Sequence, residues 1–284
     1  SRLNELSKSI KGKEKIFSFI KGDLIDKEII NEIFVEYNPK IVIHLAAQAG
    51  VRYSITQPKQ YIKSNINGFY NMLHLSKENK VDHFIYASSS SVYGNNDKFP
   101  LKEKFLTDTP LSLYAASKKT NEILAFSYSN IYKLPTTGLR FFTVYGPYGR
   151  PDMALFKFVK NIISKKPIEL FNRGNHERDF TYIDNVIDPI YKLLKRKPLQ
   201  RIPYQILNIS NGKSIKLKYF LKLIEEELSE KAIVKKIDMQ VGDVKKTHGD
   251  LTNLNKKIKL NKRINVKFGI KKFVKWYTDY YQLK

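Results

Sequence analysis

Tyr114 and Lys118 stand four residues apart in Tyr114-Ala-Ala-Ser-Lys118, within a stretch, Ser112–Tyr132, whose apolar spacing predicts a helix. Residues four apart on a helix lie one above the other on one face, so a phenol and an ammonium would open onto the same space. A free tyrosine, with a pKa of about 10, is a poor base at neutral pH. A neighbouring cation stabilises the phenolate and brings proton abstraction within reach. The pair alone is not diagnostic, because an ordinary amphipathic helix gives the same spacing by chance. Ser88-Ser89-Ser90-Ser91, 23 to 26 residues upstream, sharpen it. A serine cluster is usually a surface loop or a cap, but this one ends an apolar run, His83–Ala87, that reads as a buried strand.

These groups need a scaffold, and the sequence spells one out. Apolar runs at Ile16–Ile20, Lys40–Leu45, His83–Ala87, Thr137–Phe142, Pro167–Phe171 and Gln205–Ile209 read as strands. Helical spacing covers Asp26–Tyr37, Tyr61–Asn79, Ser112–Tyr132, Phe156–Ser164, Ile183–Leu194 and Leu217–Leu228. Ser1–Lys8 reads as the inside of a helix with no start signal, and the segments after Lys231 as short and polar. Strands that are apolar throughout, alternating with helices, predict an α/β fold with a doubly wound parallel sheet. The expected division is 1–145 as the main sheet domain. A smaller lobe, 146–284, is interleaved with the last strands. Ligands of such sheets bind outside the carboxyl ends of the strands. Three of those ends carry unusual residues: Ala46-Ala47-Gln48-Ala49-Gly50, Ser88–Gly94, and Thr143-Val144-Tyr145-Gly146.

Composition narrows the classes. The 284 residues are 42% hydrophobic, enough for a sizeable core, with no uninterrupted apolar run long enough to span a membrane. There is no cysteine, so disulfide and thiolate chemistry are excluded, which fits a cytoplasmic setting. Net charge is +24, but the lysines are scattered along the chain rather than clustered, and no RNA-binding or zinc-finger spacing is present. The expectation is therefore no nucleic acid, no membrane and no metal. A small anionic substrate would be drawn to such a field.

Taken together, Gly22-Asp23-Leu24, His44-Leu45-Ala46-Ala47, Ser88–Gly94, Tyr114–Lys118, Leu139-Arg140-Phe141-Phe142 and Arg178-Asp179-Phe180-Thr181-Tyr182-Ile183-Asp184 resemble the extended short-chain dehydrogenase/reductase superfamily, in its sugar-nucleotide epimerase/dehydratase branch. The resemblance runs from about Phe17 to the C-terminus. Three stretches, Ala46–Ser54, Ser112–Lys119 and Thr136–Met153, look like the UDP-glucuronate 4-epimerases of that branch. It implies a Rossmann-like fold, NAD as cofactor, a UDP-sugar as substrate, and a homodimer packed through the two long helices. By the same resemblance, Tyr114 and Lys118 are the base and its partner. Ser89 matches the usual catalytic Ser/Thr, with Ser91 as its competitor. Asp23, Leu24, Ala46, Ala47, Gln48, Asn65, Ala87, Ser88 and Phe141 match cofactor positions. Arg52, Ser89, Thr143, Arg150 and Arg178 match substrate positions, Arg178 for the diphosphate and Arg150 for a carboxylate. Relatives that eliminate or decarboxylate commonly carry an acid just after the catalytic Ser/Thr; Ser90, Ser91 and Val92 stand here, which favours epimerisation.

Two features depart from the family pattern. A Gly-x-x-Gly-x-x-Gly turn with its flanking βαβ unit, the pyrophosphate cradle, is absent from the sequence. The expectation is an N-terminally incomplete chain that holds NAD poorly and leaves the pair idle. Near Gln240–Asp243, where some relatives place an arginine against the diphosphate, none occurs, so Lys245 substitutes or Arg178 acts alone. Another epimerase, dehydratase or decarboxylase of the branch, and an inactive fragment, remain as alternatives.

Overall fold

The computed structural model describes residues 2–10, 12, 17–240 and 242–283. In chain order the helices and strands are α1 (Arg2–Ser9), α2 (Lys27–Tyr37), β1 (Ile41–His44), α3 (Val51–Thr56), α4 (Pro58–Tyr61), α5 (Gly68–Glu78), β2 (His83–Ser89), α6 (Leu113–Tyr132), β3 (Thr136–Phe141), β4 (Thr143–Tyr145), α7 (Ala154–Ile163), β5 (Ile168–Leu170), β6 (Glu177–Arg178), β7 (Phe180–Tyr182), α8 (Asp184–Leu193), β8 (Tyr204–Ile209), β9 (Ile215–Lys216), α9 (Leu217–Leu228), β10 (Val234–Lys236), α10 (Thr252–Lys257) and α11 (Val266–Tyr281).

The main sheet has the order β1-β2-β3-β8 and is parallel throughout. Alternation along β2 shows how both faces are covered. Phe84 and Tyr86 pack with Phe34, Phe69, Leu73 and Leu134 on the side of α2, α5 and α6. Ile85 packs with Leu139, Leu207 and Val186, Ile190 and Leu193 of α8 on the other. Each large side chain buried this way contributes roughly 1.5–3 kcal/mol. Gly138 sits mid-strand in β3 because a Cβ there would come within 2.6 Å of the Tyr86 hydroxyl and 2.4 Å of Ile206 Cδ1. A third core joins α7, α9, α11, β5 and β7, with Phe180 stacked on Phe220 at 3.9 Å.

The helices begin where their caps are. Asp26 accepts from Ile29 N–H at 3.2 Å to start α2, and Ser112 accepts from Ala115 N–H at 3.1 Å to start α6. The α/β architecture and its parallel sheet match the sequence expectation, with element ends shifted by one or two residues. Three expectations are corrected. The strand at Ile16–Ile20 does not form: residues 17–20 are irregular and partnerless in any sheet, with Phe19 59% exposed, and Ile16 lies outside the described residues. Tyr61–Asn79 is not one regular helix. α4 starts three residues earlier, and a π-helical segment, Ile62–Asn67, joins it to α5. After Lys231 the chain is not uniformly short and polar. α11 runs 16 residues, capped by the Asn265 side chain on Phe268 N–H, with Ile270, Phe273, Val274 and Tyr277 buried.

α6 is also tied to the sheet by a buried ion pair. Arg140 Nε and Nη2 donate to the two oxygens of Glu122, each at 2.8 Å, and both side chains are almost wholly enclosed. Removing one partner would strand the other charge without water. Glu122→Ala is expected to cost about 3–5 kcal/mol in urea unfolding, and the apolar pair Glu122→Leu/Arg140→Met to recover most of it. A single variant as stable as the parent would refute the pair's structural role.

Candidate active site

Three successive turns of α6 meet three successive residues at the end of β2. The Tyr114 hydroxyl faces the Ser89 hydroxyl, which favours its ionised form. Lys118 Nζ donates to the Ala87 carbonyl at 2.8 Å. Ser88 Oγ donates to Glu122 Oε1 at 2.6 Å. Positions 114, 118 and 122 share one helix face, so the spacing that aligns the tyrosine and lysine also aligns the glutamate. Ser89 is fixed from its other side as well, since its Oγ accepts from Ser91 N–H at 3.2 Å.

The electrostatics differ from the simple picture of a lysine beside a tyrosine. Lys118 is 2% exposed, and burial holds its ammonium down at about 8. Its proton is directed to Ala87. Burial pushes the Tyr114 hydroxyl above the ordinary phenol range, and the groups that pull it back are the Ser89 hydroxyl and the Arg150 guanidinium. The cation facing the tyrosine is thus Arg150, because the Lys118 ammonium has been claimed by a backbone carbonyl.

The cofactor-side loop is held from two helices. Asn65, 1% exposed in the π-helical segment, accepts from Gln48 N–H at 2.7 Å and donates to the Gln48 carbonyl at 2.9 Å and to Ser117 Oγ at 3.0 Å. Ser117 Oγ in turn donates to the Tyr114 carbonyl at 2.8 Å. A π turn shifts the register of a helix face, and such turns recur at functional sites. Tyr61 donates to the carbonyls of Ala49 and Gly50 at 3.1 and 2.6 Å, and its ring meets that of Tyr114 edge-on at 6.2 Å. Gly50 takes φ 111°, a region that favours glycine. Ala46 and Ala47 keep the loop's backbone approachable. Asp23 lies on the next loop outward. Its carboxylate accepts from Ile25 N–H at 3.2 Å, and the carbonyl of Leu24 is held by Asn71 at 3.0 Å. Phe141 ends β3 opposite Ser89 in the ladder.

On the substrate side, a cavity of about 110 Å³ is lined by Ser91, Thr143, Arg178, Asp243 and Thr247, among others. Arg150 donates to Asp152 through Nε at 3.0 Å and through Nη2 at 2.5 Å, and Nη2 also reaches the Ala49 carbonyl at 3.4 Å. Arg178 donates to Asp243 at 2.7 Å and to the carbonyls of Glu177 and Lys245. Lys245 therefore contributes its backbone to this corner. Arg52 lies over the Phe171 ring at 4.0 Å and electrostatically faces His176, as Arg178 does. The structure thus gathers Tyr114, Lys118, Ser89, Ala87 and Ser88 at one point, with Ser91, Thr143 and Arg178 in the adjoining cavity. Asp23 and Leu24 stand apart, on the outer loop.

Several residues that shape the site were not singled out from the sequence. Glu122 could have been found by continuing the four-residue step from Lys118. Asp179 lay inside the quoted Arg178–Asp184 motif. It is fully buried, and accepts from the backbone N–H groups of Asn211, Gly212 and Gly249 and from Thr181 Oγ1. Tyr61, His176, Asp243 and Ser117 carried no local signal.

The NAD dependent epimerase/dehydratase family model matches residues 1–210. Protein CapI of Staphylococcus aureus is 45% identical over 285 residues, which is 95% of this chain and 85% of that protein. A probable UDP-glucuronate 4-epimerase of Rhizobium meliloti is 38% identical, over 99% of this chain and 86% of its own length. Among solved structures, the UDP-glucuronic acid 4-epimerase of Bacillus cereus, in complex with UDP-glucuronic acid and NAD, superposes with a TM-score of 0.87 at 28% identity, covering 97% of this chain and 86% of that one.

The Lys118 ammonium is a charge held against its own burial. Lys118→Met is expected to stabilise the chain by about 1–3 kcal/mol at neutral pH while removing activity. The sign follows from the lowered pKa. Below about 8 both folded and unfolded states carry the proton and the cost is full; as pH rises from about 8 toward the unfolded value the cost fades. Thermal melts of both proteins across that window should therefore converge, and a less stable methionine variant would contradict this account.

Proposed function

This chain belongs to the NAD dependent epimerase/dehydratase family, and from that premise we propose that it inverts carbon 4 of UDP-glucuronate to give UDP-galacturonate. It is an NAD-dependent isomerase of UDP-sugars. The observation that carries the uronate reading is the Arg150 guanidinium, anchored against the Ala49 carbonyl and facing the Tyr114 hydroxyl. A carboxylate on carbon 5 would lie close to a base acting at carbon 4.

The residues present fit part of the cofactor, while the glycine-rich turn that would cradle its pyrophosphate is not in this sequence. Ala46 and Ala47 leave backbone open at the end of β1, and the Asp23 carboxylate is exposed on the neighbouring loop. Lys118 stands at the Ala87 carbonyl between that loop and the substrate cavity. NAD, when bound, supplies reversible two-electron redox chemistry at the sugar carbon. The chain's own residues do the rest. Tyr114 acts as the phenolate, a form that burial opposes and the Ser89 hydroxyl and Arg150 favour: it accepts the proton of the 4-hydroxyl and later returns it, with the Ser89 hydroxyl beside it. Ser91 contributes its N–H to Ser89 and its side chain to the cavity wall. Arg178 anchors the diphosphate, about which the keto sugar turns to present its other face; a guanidinium fork suits phosphate. The 4-keto form of a uronic acid is a β-keto acid and loses carbon dioxide readily, so Arg150 and Thr143 hold the carboxylate in an orientation that disfavours cleavage. The chain also self-associates in this reading, through exposed apolar side chains of α5 and α6, Tyr70 and Ile123 among them.

With UDP-glucuronate and NAD, chromatography should show UDP-galacturonate accumulating to an equilibrium mixture. A UDP-pentose or a 4-keto-6-deoxy sugar alone would sink the assignment. Tyr114→Phe should lower kcat by about 10²–10⁴-fold. Arg150→Met should raise KM for UDP-glucuronate by about tenfold while sparing any turnover of UDP-glucose. Equal losses on both sugars would favour the second reading, a UDP-hexose epimerase in which Arg150 serves the loop rather than a carboxylate.

A further inference from the structure

The corner around Arg178 holds more charge than an anion-binding arginine requires. Its guanidinium is pinned through Nη1, which donates to the carbonyls of Glu177 and Lys245 at 3.0 and 3.1 Å. Nη2 donates to Asp243 Oδ1 at 2.7 Å, and both residues line the cavity. The other oxygen of Asp243 lies 3.5 Å from His176 Nε2. His176 is 3% exposed, and that nitrogen has no hydrogen-bond partner among the described residues. A carboxylate therefore occupies the arginine nitrogen that a phosphate oxygen would take, and an unpartnered imidazole waits on its far side.

Resting on the reading above that Arg178 receives the substrate's diphosphate, we propose that Asp243 is a built-in stand-in for that diphosphate, and that His176 receives Asp243, with a proton from solvent, when the UDP-sugar binds.

The charges at the corner lead to this exchange. The charged groups facing His176 are Arg178 from β6, Arg52 from α3 and Asp243 from the loop before Val244. Burial, then Arg178, hold the imidazole below its ordinary range, so it is neutral in the ligand-free corner. Two guanidinium charges then outweigh one carboxylate. A diphosphate bringing two negative charges reverses that sign and competes directly with Asp243 for Arg178. Displaced, Asp243 keeps the Val244 N–H on Oδ1 but is a partly enclosed carboxylate without a cationic partner. A protonated His176 supplies a charge-assisted donor and restores neutrality. No covalent bond is made or broken in the exchange.

The pH sign follows by linkage. Bound diphosphate raises the imidazole pKa above its ligand-free value. Affinity is therefore highest below the ligand-free value, declines as pH rises toward the bound-state value, and then levels off. One coupled proton limits the decline to about tenfold per pH unit.

Calorimetric titration of UDP-glucuronate into the full chain with NAD present, near neutral pH in two buffers of different ionisation enthalpy, counts the protons. The expected result is uptake of a large fraction of one proton per ligand in the parent protein, and its loss in His176→Gln. No uptake in the parent, a measurement that needs no variant, would overturn the exchange, as would undiminished uptake in His176→Gln. Asp243→Asn should bind UDP-glucuronate about fivefold more tightly, because no competing carboxylate remains. Unchanged or weaker binding by a variant with a normal thermal melt would overturn the stand-in. Arg178→Ala binding as tightly as the parent would refute the diphosphate site itself, a failure distinct from these.

Discussion

Everything at this site hangs on the seam between α6 and the end of β2. Tyr114, Lys118 and Glu122 step down one helix face and engage Ser89, the Ala87 carbonyl and Ser88 in turn. A helix docked on a sheet by apolar contacts alone could slide or rotate by a fraction of a turn at little cost. Three polar contacts in series remove that freedom, because a shift that breaks one breaks all three. They also tie Tyr114 to groups below it: Glu122 is gripped by Arg140, and Arg140 lies over the Tyr93 ring at 4.7 Å. Tyr93 in turn donates to Asn208 at the end of β8. The position of one phenol is thereby referred to three neighbouring strands. Buried ion pairs of this kind add little net stability over apolar replacements; what they contribute here is register.

Much of this was legible in the sequence where a short period or a strand end carried the signal. Tyr114 and Lys118 share a helix face by arithmetic, and the four serines mark a strand end. The loop Ala46–Gly50 declares itself by its small residues. What was illegible fell into two kinds. Some residues had a local pattern with a misleading default: Glu122 looks like the solvent face of an amphipathic helix, and α11 mixes lysines with tyrosines so that its apolar stripe is diluted. Others depend on long-range closure. Arg178 and Asp243 are 65 residues apart, Asn65 and Ser117 are 52 apart, and no window of sequence contains either pair. The failed strand at Ile16–Ile20 makes the same point in reverse, since an apolar run becomes a strand only when a neighbour accepts its hydrogen bonds.

A second buried acid organises the substrate side as the seam organises the base. Asp179, between Arg178 and Phe180, collects donors from two loops, at Asn211–Gly212 and at Gly249. Its own N–H is held by Thr247, and its carbonyl accepts from Thr143 N–H at 3.1 Å. Burial raises its pKa and these donors oppose the shift. Asp179 therefore ties Thr143, through its own carbonyl, to the loops its carboxylate gathers, beside Arg178 on the wall of the same cavity. That explains why a residue pointing away from the cavity sits inside the motif that carries the arginine.

The four acids of the site divide by how they are held. Glu122 and Asp179 are sealed from water and receive several donors each, so neither can leave without stranding buried partners. Asp152 and Asp243 are different, at 56% and 31% side-chain exposure, each set against one of the arginines assigned to substrate anions. A chain with a net charge of +24 has few carboxylates to spare. Two of them stand on the arginines proposed to receive the substrate's anions, which meets a physical need: a preorganised guanidinium left unpaired in a partly enclosed site carries a desolvation cost. An internal carboxylate offsets that cost while the site is empty and, being part-exposed, with water able to replace its partners, can be displaced. The price is affinity, since every substrate anion must first win its arginine. The benefit is that the forks are already aimed when it arrives, which is the condition under which binding energy can be directed to orientation rather than to assembly of the site.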